Sequence, residues 1–331
     1  MTHAIEAQDL TKTYPPATTA LDGLSFAVPE GTVFGLLGPN GAGKTTAVKV
    51  LTTLTRPDGG SARVAGIDVL ADAKGVRRVI GVVGQKTGSG PESTGRENLE
   101  LQGRLYGIRG GEVRRRAGEL LRRFGLADAA DRVVKTYSGG MVRRLDIAMG
   151  LIHRPGVLFL DEPTTGLDPE VRAAMWDEIR RLRSEAGLTI LLTTHYLEEA
   201  DQLADHLVIV DRGTVVAEGT PDELKAELEG DTVHVELAAP QPNGRAQGAL
   251  ERLAQIRELR IADRQLHATV EDGAAALPAI LGALGQAGVD VATATIARPS
   301  LDDVYLRYAG RSFAEAERAT EPDATEEGGN R

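Results

Sequence analysis

A glycine-rich segment with one lysine and two threonines carries the clearest chemical pattern in this sequence. In chain order its residues are Gly38, Pro39, Asn40, Gly41, Ala42, Gly43, Lys44, Thr45 and Thr46. The pattern G-x-x-x-x-G-K-[ST] lets backbone N–H groups surround a phosphate, because the glycines allow the main chain to approach closely. We predict that this phosphate loop binds a nucleotide, with Lys44 on the terminal phosphates and Thr45 on Mg²⁺.

Two adjacent acids follow an entirely apolar segment. Residues 157–160 are Val-Leu-Phe-Leu, and Asp161 and Glu162 come directly after them. A strand of this kind is buried on both faces, so two charges at its end require a cation or a reaction. We predict that Asp161 binds Mg²⁺ and that Glu162 polarises an attacking water. Alone, such a pair would more often be a solvated loop.

Polar residues also follow two other predicted strands. His195 comes after the strand at 189–193, and Gln85 comes after the strand at 79–83. In an open parallel sheet, ligands bind beyond the carboxyl ends of the strands. We predict that His195 contacts the γ-phosphate and orients Glu162 or the water, and that Gln85 bridges metal and water. A lone histidine is more often structural.

The elements that must position these residues alternate between strands and helices. Apolar runs predict strands at 33–37, 79–83, 157–160 and 189–193, and helical patterns predict helices at 44–54, 112–124, 138–152 and 169–185. This alternation is typical of an α/β fold with a mostly parallel sheet. A capping box at 220–223 predicts a short last helix, so the first domain is expected to span residues 1–228.

The pattern changes beyond this boundary. We predict a strand at 233–237, a helix at 248–254, strands near Arg260 and at 266–270, a helix at 274–285 and a strand at 289–296. The order βαββαβ predicts a small ferredoxin-like α+β domain over residues 229–310. A second capping box at 300–303 begins a helix that runs to Tyr308. Residues 311–331 are acidic and poor in large apolar side chains, and are predicted to be disordered.

A further motif lies about 20 residues before the acidic strand end. Residues 137–141 read Tyr-Ser-Gly-Gly-Met at the start of a helix. With this motif in place, residues 4–225 resemble the ATP-binding-cassette (ABC) ATPases. The resemblance implies a P-loop cassette with a helical subdomain at about 86–155, hydrolysing ATP with Mg²⁺. Tyr137, Met141 and Gly84 depart from the commoner pattern, which affects coupling rather than the catalytic groups.

The resemblance also implies roles that isolated residues do not indicate. Ser138, Gly139 and Gly140 are expected to close on the γ-phosphate of ATP held by the other subunit of a head-to-tail dimer. Tyr14 is expected to stack on adenine, and Asp168 to communicate across the dimer. Taken alone, the Ser-Gly-Gly segment would be a helix cap, Tyr14 a packing aromatic and Asp168 the N-cap before Pro169.

A narrower resemblance covers nearly the whole chain. Segments 135–146, 192–203 and 300–306 are similar to the daunorubicin-resistance group of exporter ATPases. That group pairs with a separately encoded multi-spanning permease and carries a C-terminal accessory domain. The resemblance implies a homodimer on the cytoplasmic side of the cell membrane that exports a hydrophobic small molecule or antibiotic. Residues 86–109 are the expected docking region.

Composition excludes several other classes of protein. The 331 residues contain no cysteine, which rules out disulfides and thiolate metal sites. The net charge of −10 argues against a nucleic-acid partner, which a basic surface normally binds. The start of the chain does not resemble a signal peptide, and the uncharged stretch at 273–287 is too short to span a bilayer.

Two alternatives to a transport ATPase remain open at this point. A soluble cassette ATPase acting on ribosomes or DNA usually has two cassettes or a long coiled-coil insertion, and neither is visible. A phosphate-loop kinase or GTPase offers no reason for the Ser-Gly-Gly motif. A GTPase also requires Asn-Lys-x-Asp, which is absent.

Overall fold

The computed structural model describes residues 2–228, 230–239, 244–251 and 253–319. These residues form two compact units. The first comprises the chain up to Thr220 together with the described segment from Ala314, and the second comprises residues 221–313. The division therefore falls at Thr220, eight residues before the predicted boundary at 228.

The first unit alternates strands and helices. Its elements are β1 (His3–Tyr14), β2 (Thr18–Pro29), β3 (Val33–Leu37), α1 (Lys44–Leu51), β4 (Gly59–Val64), β5 (Ile67–Asp68), α2 (Ala73–Val79), β6 (Ile80–Val83), α3 (Gly95–Leu105), α4 (Gly110–Arg123), α5 (Gly139–Leu151), β7 (Val157–Asp161), α6 (Pro169–Ala186), β8 (Thr189–Thr194), α7 (Leu197–Leu203), β9 (His206–Asp211) and β10 (Thr214–Gly219). The predicted strand at 79–83 begins one residue later, because Val79 ends α2.

The central sheet has the strand order β10-β9-β3-β8-β7-β6. Every pair is parallel except β10 with β9, which confirms the predicted mostly parallel sheet. The strands β3, β8, β7 and β6 are neighbours, and they are the four whose ends carry the predicted chemistry. Their carboxyl ends therefore share one edge of the sheet.

A second, antiparallel sheet of order β2-β1-β4-β5 was not predicted from the sequence. Its strand β1 pairs with β2 through several register shifts, so the alternation of polar and apolar residues is interrupted. Helix α1 contacts β2 and β4 of this sheet and β7 of the central sheet. The helix that follows the phosphate loop is thus buried between two sheets.

Helices α3, α4 and α5 contact one another within the predicted helical region at 86–155. Leu99, Leu121 and Leu145 are fully or almost fully buried and contribute to one apolar cluster. The same cluster includes Leu158 and Leu160 of β7. This packing connects the helical region directly to the strand that carries Asp161.

The second unit contains α8 (Pro221–Ala226), β11 (Asp231–Leu237), α9 (Arg245–Leu250), β12 (Ile256–Ala262), β13 (Gln265–Val270), α10 (Gly273–Gln286), β14 (Val291–Ala297) and α11 (Leu301–Ala309). Its sheet is antiparallel throughout, with the order β12-β13-β11-β14, which confirms the predicted ferredoxin-like fold. Val233, Val235 and Leu266 face α9 and α10 in the core. The capping box of Ser300 and Asp303 is also confirmed.

The end of the described chain differs from the prediction of disorder after residue 310. Helix α12 covers Phe313–Arg318. The ring of Phe313 meets the ring of Tyr305 edge to face at 4.9 Å between centroids, so this apolar side chain is buried. The predicted disorder at 311–319 is therefore wrong, and residues 320–331 lie outside the described residues. None of the helices in the described part of the chain is both long and apolar enough to span a bilayer.

Candidate nucleotide-binding site

The phosphate loop connects β3 to α1 in a conformation that requires glycine. Gly43 has a φ of 107°, in the left-handed region, and a Cβ there would lie 2.3 Å from the carbonyl oxygen of Ala20. Lys44 is buried, and its Nζ donates hydrogen bonds to the carbonyls of Gly38 (2.6 Å) and Pro39 (3.0 Å). The lysine side chain thus lies back over the loop, and Thr45 and Thr46 follow on the first turn of α1.

Oxygen ligands for a hard cation converge next to this turn. The Thr45 hydroxyl donates to Oδ1 of Asp161 at 3.2 Å, and the Thr193 hydroxyl donates to the same oxygen at 2.6 Å. A hydroxyl and a carboxylate on adjacent elements are the oxygen donors that Mg²⁺ prefers. The residues therefore fit a magnesium ion held by Thr45 and Asp161. Sequence reasoning did not assign Thr193 to the site, because it lies inside an apolar strand.

Glu162 lies between the lysine and the histidine. Its Oε1 is 3.7 Å from Lys44 Nζ and 3.4 Å from His195 Nδ1. Burial by itself would raise the pKa of Glu162, but His195 and Lys44 outweigh this effect and lower the pKa below its usual value. Burial lowers the pKa of Lys44, against the opposing effects of Glu162 and Asp161. Glu162 is therefore ionised at neutral pH.

The backbone of Glu162 is strained. Its φ of 49° is in the left-handed region, which a residue with a long side chain rarely adopts. The peptide N–H donates to both the carbonyl (3.2 Å) and the hydroxyl (3.0 Å) of Thr193. Such strain persists only where the surroundings fix it, and it is concentrated at functional sites. Here it turns the carboxylate towards Lys44 and His195.

His195 follows β8, as the sequence predicts, and its side chain is only 14% exposed. The ring packs against Tyr196 at 4.1 Å between centroids, and the Arg172 guanidinium lies 4.6 Å from the centroid of the Tyr196 ring. These contacts fix the orientation of the imidazole. The distance to Glu162 suits an electrostatic contact without the alignment of a hydrogen bond.

Gln85 is exposed and follows β6. Together with Gly139, Glu162 and Gly166 it lines a cavity of about 420 Å³. Three segments that are distant in the sequence, at Gln85, at Gly139 and at residues 162–166, therefore open onto one space. Among the described residues, no hydrogen bond links the Gln85 side chain to the proposed magnesium ligands. Its predicted contact with the metal remains a prediction.

Arg143 is a residue of this site that sequence reasoning missed. Its buried guanidinium donates to four backbone carbonyls, those of Gly84 (2.6 Å), Asp161 (3.1 Å), Glu162 (3.1 Å) and Pro163 (2.7 Å). It therefore connects α5 to the residue before Gln85 and to the end of β7. Its position in an arginine-rich stretch gave no indication of burial, since such stretches are usually solvated.

Asp146, one turn further along α5, was also missed. Its Oδ1 accepts hydrogen bonds from the Thr87 hydroxyl (3.2 Å) and from the backbone N–H groups of Gly88 (3.2 Å) and Ser89 (3.1 Å). The carboxylate thereby fixes the loop that follows Gln85. Both side chains of α5 act on the same loop.

The signature residues begin α5. Ser138 is its N-cap and accepts a hydrogen bond from the Met141 N–H at 3.3 Å. Gly140 lies so close to α6 that a Cβ there would be 2.5 Å from Val171 Cγ1. Ser138 and Gly139 are exposed. The cap and the close packing are therefore established, and the action of these residues on a second subunit remains a proposal.

Two further predicted residues lie where the sequence placed them. Asp168 is the N-cap of α6 and accepts from the Val171 N–H at 3.0 Å, with Pro169 in the first turn. Tyr14 ends β1, and Lys12 Nζ lies 5.5 Å from the centroid of its ring. Neither contact tests the predicted roles in dimer communication and adenine stacking.

Similarity to known proteins agrees with this geometry. Residues 21–165 match the ABC transporter family, and residues 219–309 match the C-terminal domain of DrrA1-3-like ATP-binding proteins. The chain is 51% identical over 292 residues to the daunorubicin resistance ATP-binding protein DrrA3 of Streptomyces coeruleorubidus, covering 88% of this chain and 91% of the relative. It is 46% identical to the daunorubicin/doxorubicin resistance ATP-binding protein DrrA of Streptomyces peucetius, covering 98% of each.

Solved structures show the same cassette. The ATP-binding cassette MJ0796, in a dimeric post-hydrolysis state bound to ADP and Pi, superimposes with a TM-score of 0.60 at 27% identity, covering 65% of this chain and 98% of that one. An ATP-binding subunit of an ABC transporter superimposes with a TM-score of 0.61 at 30% identity, covering 68% and 92%. The chain therefore belongs to the ATP-hydrolysing subunits of ABC transporters, in the group that carries a DrrA-like C-terminal domain.

Proposed function

We propose that this ATPase energises the export of a hydrophobic small molecule or antibiotic through a separate multi-spanning permease. It acts as a homodimer bound to the cytoplasmic side of the cell membrane through that permease. The observation that carries the proposal is the convergence of Lys44, Asp161, Glu162 and His195 at one sheet edge. The names of the relatives, which are drug-resistance ATP-binding proteins, support the nature of the cargo.

The residues divide the work of hydrolysis in a way that follows from their positions. Lys44 and the phosphate loop bind the phosphates of ATP, and Tyr14 stacks on the adenine. Thr45, Asp161 and Gln85 hold Mg²⁺, which neutralises phosphate charge when it is bound. Glu162 is ionised and draws the proton from the attacking water. His195 contacts the γ-phosphate and orients Glu162, so catalysis is mainly positioning and charge stabilisation.

The exposed start of α5 supports a composite site in a dimer. Ser138 and Gly139 are exposed, and a Cβ added to Gly139 would meet nothing within 4 Å. A helix N-terminus with free backbone N–H groups binds anions well. In the proposed dimer, Ser138, Gly139 and Gly140 complete the ATP site of the partner, and Asp168 links the two sites.

Apolar side chains on α3 and just after it support the docking of a membrane partner at residues 86–109. Leu101 is 58% exposed, Leu105 is 73% exposed and Tyr106 is 38% exposed. Apolar side chains grouped on a surface commonly mark an interaction site. Asp146 joins residues 87–89 of this region to α5, and Arg143 joins α5 to the end of β7, so a partner bound there would sense the hydrolytic site.

The test is to read the genes adjacent to this one for a multi-spanning membrane protein and to coexpress that protein with this chain. We expect the two proteins to copurify from detergent-solubilised membranes, and inverted vesicles that contain both to accumulate daunorubicin when ATP is added. Vesicles carrying Glu162→Gln in place of the wild-type chain are the control and are expected to accumulate none. Sedimentation of the chain with ribosomes, without copurification from membranes, would overturn the proposal in favour of a soluble cassette ATPase.

A further inference from the structure

A cluster of two histidines and one aspartate lies in the second unit, outside the ATP site. His234 on β11 and His267 on β13 are directly opposite each other in the antiparallel pair. Both side chains are on the face of the sheet opposite the core residues Val233 and Val235. Asp303 of α11 lies beside them and is only 8% exposed.

The three side chains are close together without forming hydrogen bonds to one another. Oδ1 of Asp303 is 3.7 Å from His267 Nδ1 and 3.9 Å from His234 Nε2, beyond the range of a hydrogen bond. The two imidazole rings meet edge to face at 4.7 Å between centroids. One nitrogen or oxygen from each residue lies within 4.8 Å of the other two. The three atoms therefore surround a space rather than contacting each other.

Unsatisfied polar atoms border this space. Nδ1 of His267 and the hydroxyl of Thr232 are buried and have no hydrogen-bond partner among the described residues. Thr232, His267 and Asp303, together with Arg260 and Arg307 but not His234, line an adjoining cavity of about 20 Å³, which has room for one water-sized occupant. A buried polar atom without a partner is costly, so an occupant that accepts or shares these lone pairs is expected.

We propose that this cluster binds a divalent transition-metal ion of the zinc type, with His234 Nε2, His267 Nδ1 and Asp303 Oδ1 as ligands. Tetrahedral coordination at the usual zinc bond lengths places ligand atoms about 3.4 Å apart. The two separations from Asp303 Oδ1, 3.7 and 3.9 Å, need to shorten by a few tenths of an ångström, and the imidazole nitrogens, which lie within 4.8 Å of each other, also need to approach. Two imidazoles and one carboxylate favour zinc and its transition-metal neighbours over Mg²⁺ or Ca²⁺, which prefer oxygen ligands.

The second oxygen of Asp303 is already engaged in a way that suits a ligand. Oδ2 accepts hydrogen bonds from the backbone N–H (2.9 Å) and the hydroxyl (2.7 Å) of Ser300. These bonds are the capping box of α11, and they leave Oδ1 directed towards the histidines. Hydrogen bonds of this kind orient a ligating carboxylate. A bound metal would join β11, β13 and α11, so its binding energy would stabilise this unit.

The experiment uses the untagged full-length chain, stripped with a chelator and kept free of nucleotide. Co²⁺ is titrated into the protein and followed by its visible absorption, which is intense for tetrahedral sites, and Zn²⁺ is then added as a competitor. We expect one equivalent of Co²⁺ to bind with the tetrahedral spectrum and to be displaced by Zn²⁺. His234→Gln and His267→Gln should each weaken binding more than about tenfold.

The matched control is His206→Gln, a half-exposed histidine on β9 of the first unit, which should bind as the wild type does. Asp303→Asn provides a second variant, because an asparagine keeps an oxygen for Ser300 and removes the charge. It should also weaken binding. Zn²⁺ should raise the thermal unfolding temperature of the wild type and of His206→Gln, but not of the three ligand variants. The proposal is overturned if the wild type does not bind Co²⁺ stoichiometrically, or if all variants bind it equally.

Discussion

Glu162 is positioned by its backbone rather than by hydrogen bonds to catalytic partners. Its left-handed φ costs roughly 1–3 kcal/mol, and the two hydrogen bonds from its N–H to Thr193 help to offset that cost. As a result the carboxylate lies within 4 Å of both Lys44 and His195. A carboxylate held in this way keeps its position when the substrate binds, and catalysis by positioning of the reacting groups requires that.

The first prediction at this scale is that Glu162→Gln abolishes turnover but not ATP binding. Glutamine has the same shape but cannot accept a proton, so phosphate release should fall by about 10²–10⁴-fold. The ATP-bound dimer should then accumulate, and size-exclusion chromatography detects it. Glu198→Gln, an exposed neighbour on α7, is the control and should hydrolyse ATP normally. Near-normal turnover of Glu162→Gln would remove Glu162 from its proposed role.

The second prediction is that Lys44→Ala weakens ATP binding. A charge-assisted hydrogen bond contributes about 1.5–3 kcal/mol, which corresponds to a roughly 10–150-fold loss of affinity. Isothermal titration calorimetry with ATP measures the change directly. Lys49→Ala, an exposed lysine at the end of the same helix, provides the comparison. An unchanged ATP affinity for Lys44→Ala would contradict the assignment.

Sequence reasoning identified Lys44 by the glycine-rich motif, and identified Asp161, Glu162 and His195 because they follow buried strands. Polar residues are conspicuous where an apolar run ends, and parallel strands bring such ends to one edge. Thr193 and Arg143 were missed for the opposite reason. A threonine within a strand and an arginine in an arginine-rich helix are ordinary in those places, and only the fold shows what they contact.

Helix α5 is the element that joins the separate parts of the site. Arg143 connects it to the end of β7 and to Gly84, and Asp146 connects it to residues 87–89. The exposed Ser138 is the N-cap of the same helix. A displacement of the loop after Gln85 would therefore act on the helix that begins with the signature residues, which provides a physical route between the proposed membrane partner and the proposed composite ATP site.

The prediction for this element is that Arg143→Met uncouples it. Methionine fills a similar volume but removes the donor of four hydrogen bonds to backbone carbonyls, so the free energy of unfolding should fall by about 1–3 kcal/mol. Urea unfolding measures that change, and ATPase activity should fall as the end of β7 loosens. Arg122→Met on the exposed side of α4 is the control. An unchanged unfolding midpoint and activity would show that α5 is held in other ways.

At the level of elements, the parallel strands were predictable and the antiparallel sheet was not. Fully apolar runs such as 157–160 can only be buried on both faces, which is specific to a central sheet. Strand β1 mixes polar and apolar residues, and its pairing with β2 shifts register between Ala7 and Leu10. Those shifts break the two-residue alternation on which strand prediction depends.

At the scale of the whole molecule, the second unit contributes none of the residues assigned to the ATP site. All residues assigned to the binding of ATP and Mg²⁺ lie between Tyr14 and His195, within the first unit. The second unit has its own sheet and its own apolar core around Val233 and Leu266. Its element order was predictable from the sequence, whereas the meeting of His234 and His267 depended on strand register, which sequence patterns do not fix.

This separation predicts that deleting the chain from Asp231 onward leaves ATP binding in place. The phosphate loop, the end of β7 and His195 keep every hydrogen bond described above, because the partners in those bonds lie before Thr220. The deletion also removes residues 314–319 of the first unit, which form none of these bonds. A truncated chain whose circular dichroism shows a folded cassette should bind ATP within about threefold of the full-length affinity, a difference below 0.7 kcal/mol. The full-length Lys44→Ala variant supplies the weak-binding reference. A folded truncation that binds ATP no better than that reference would mean that the deleted residues supply part of the nucleotide site.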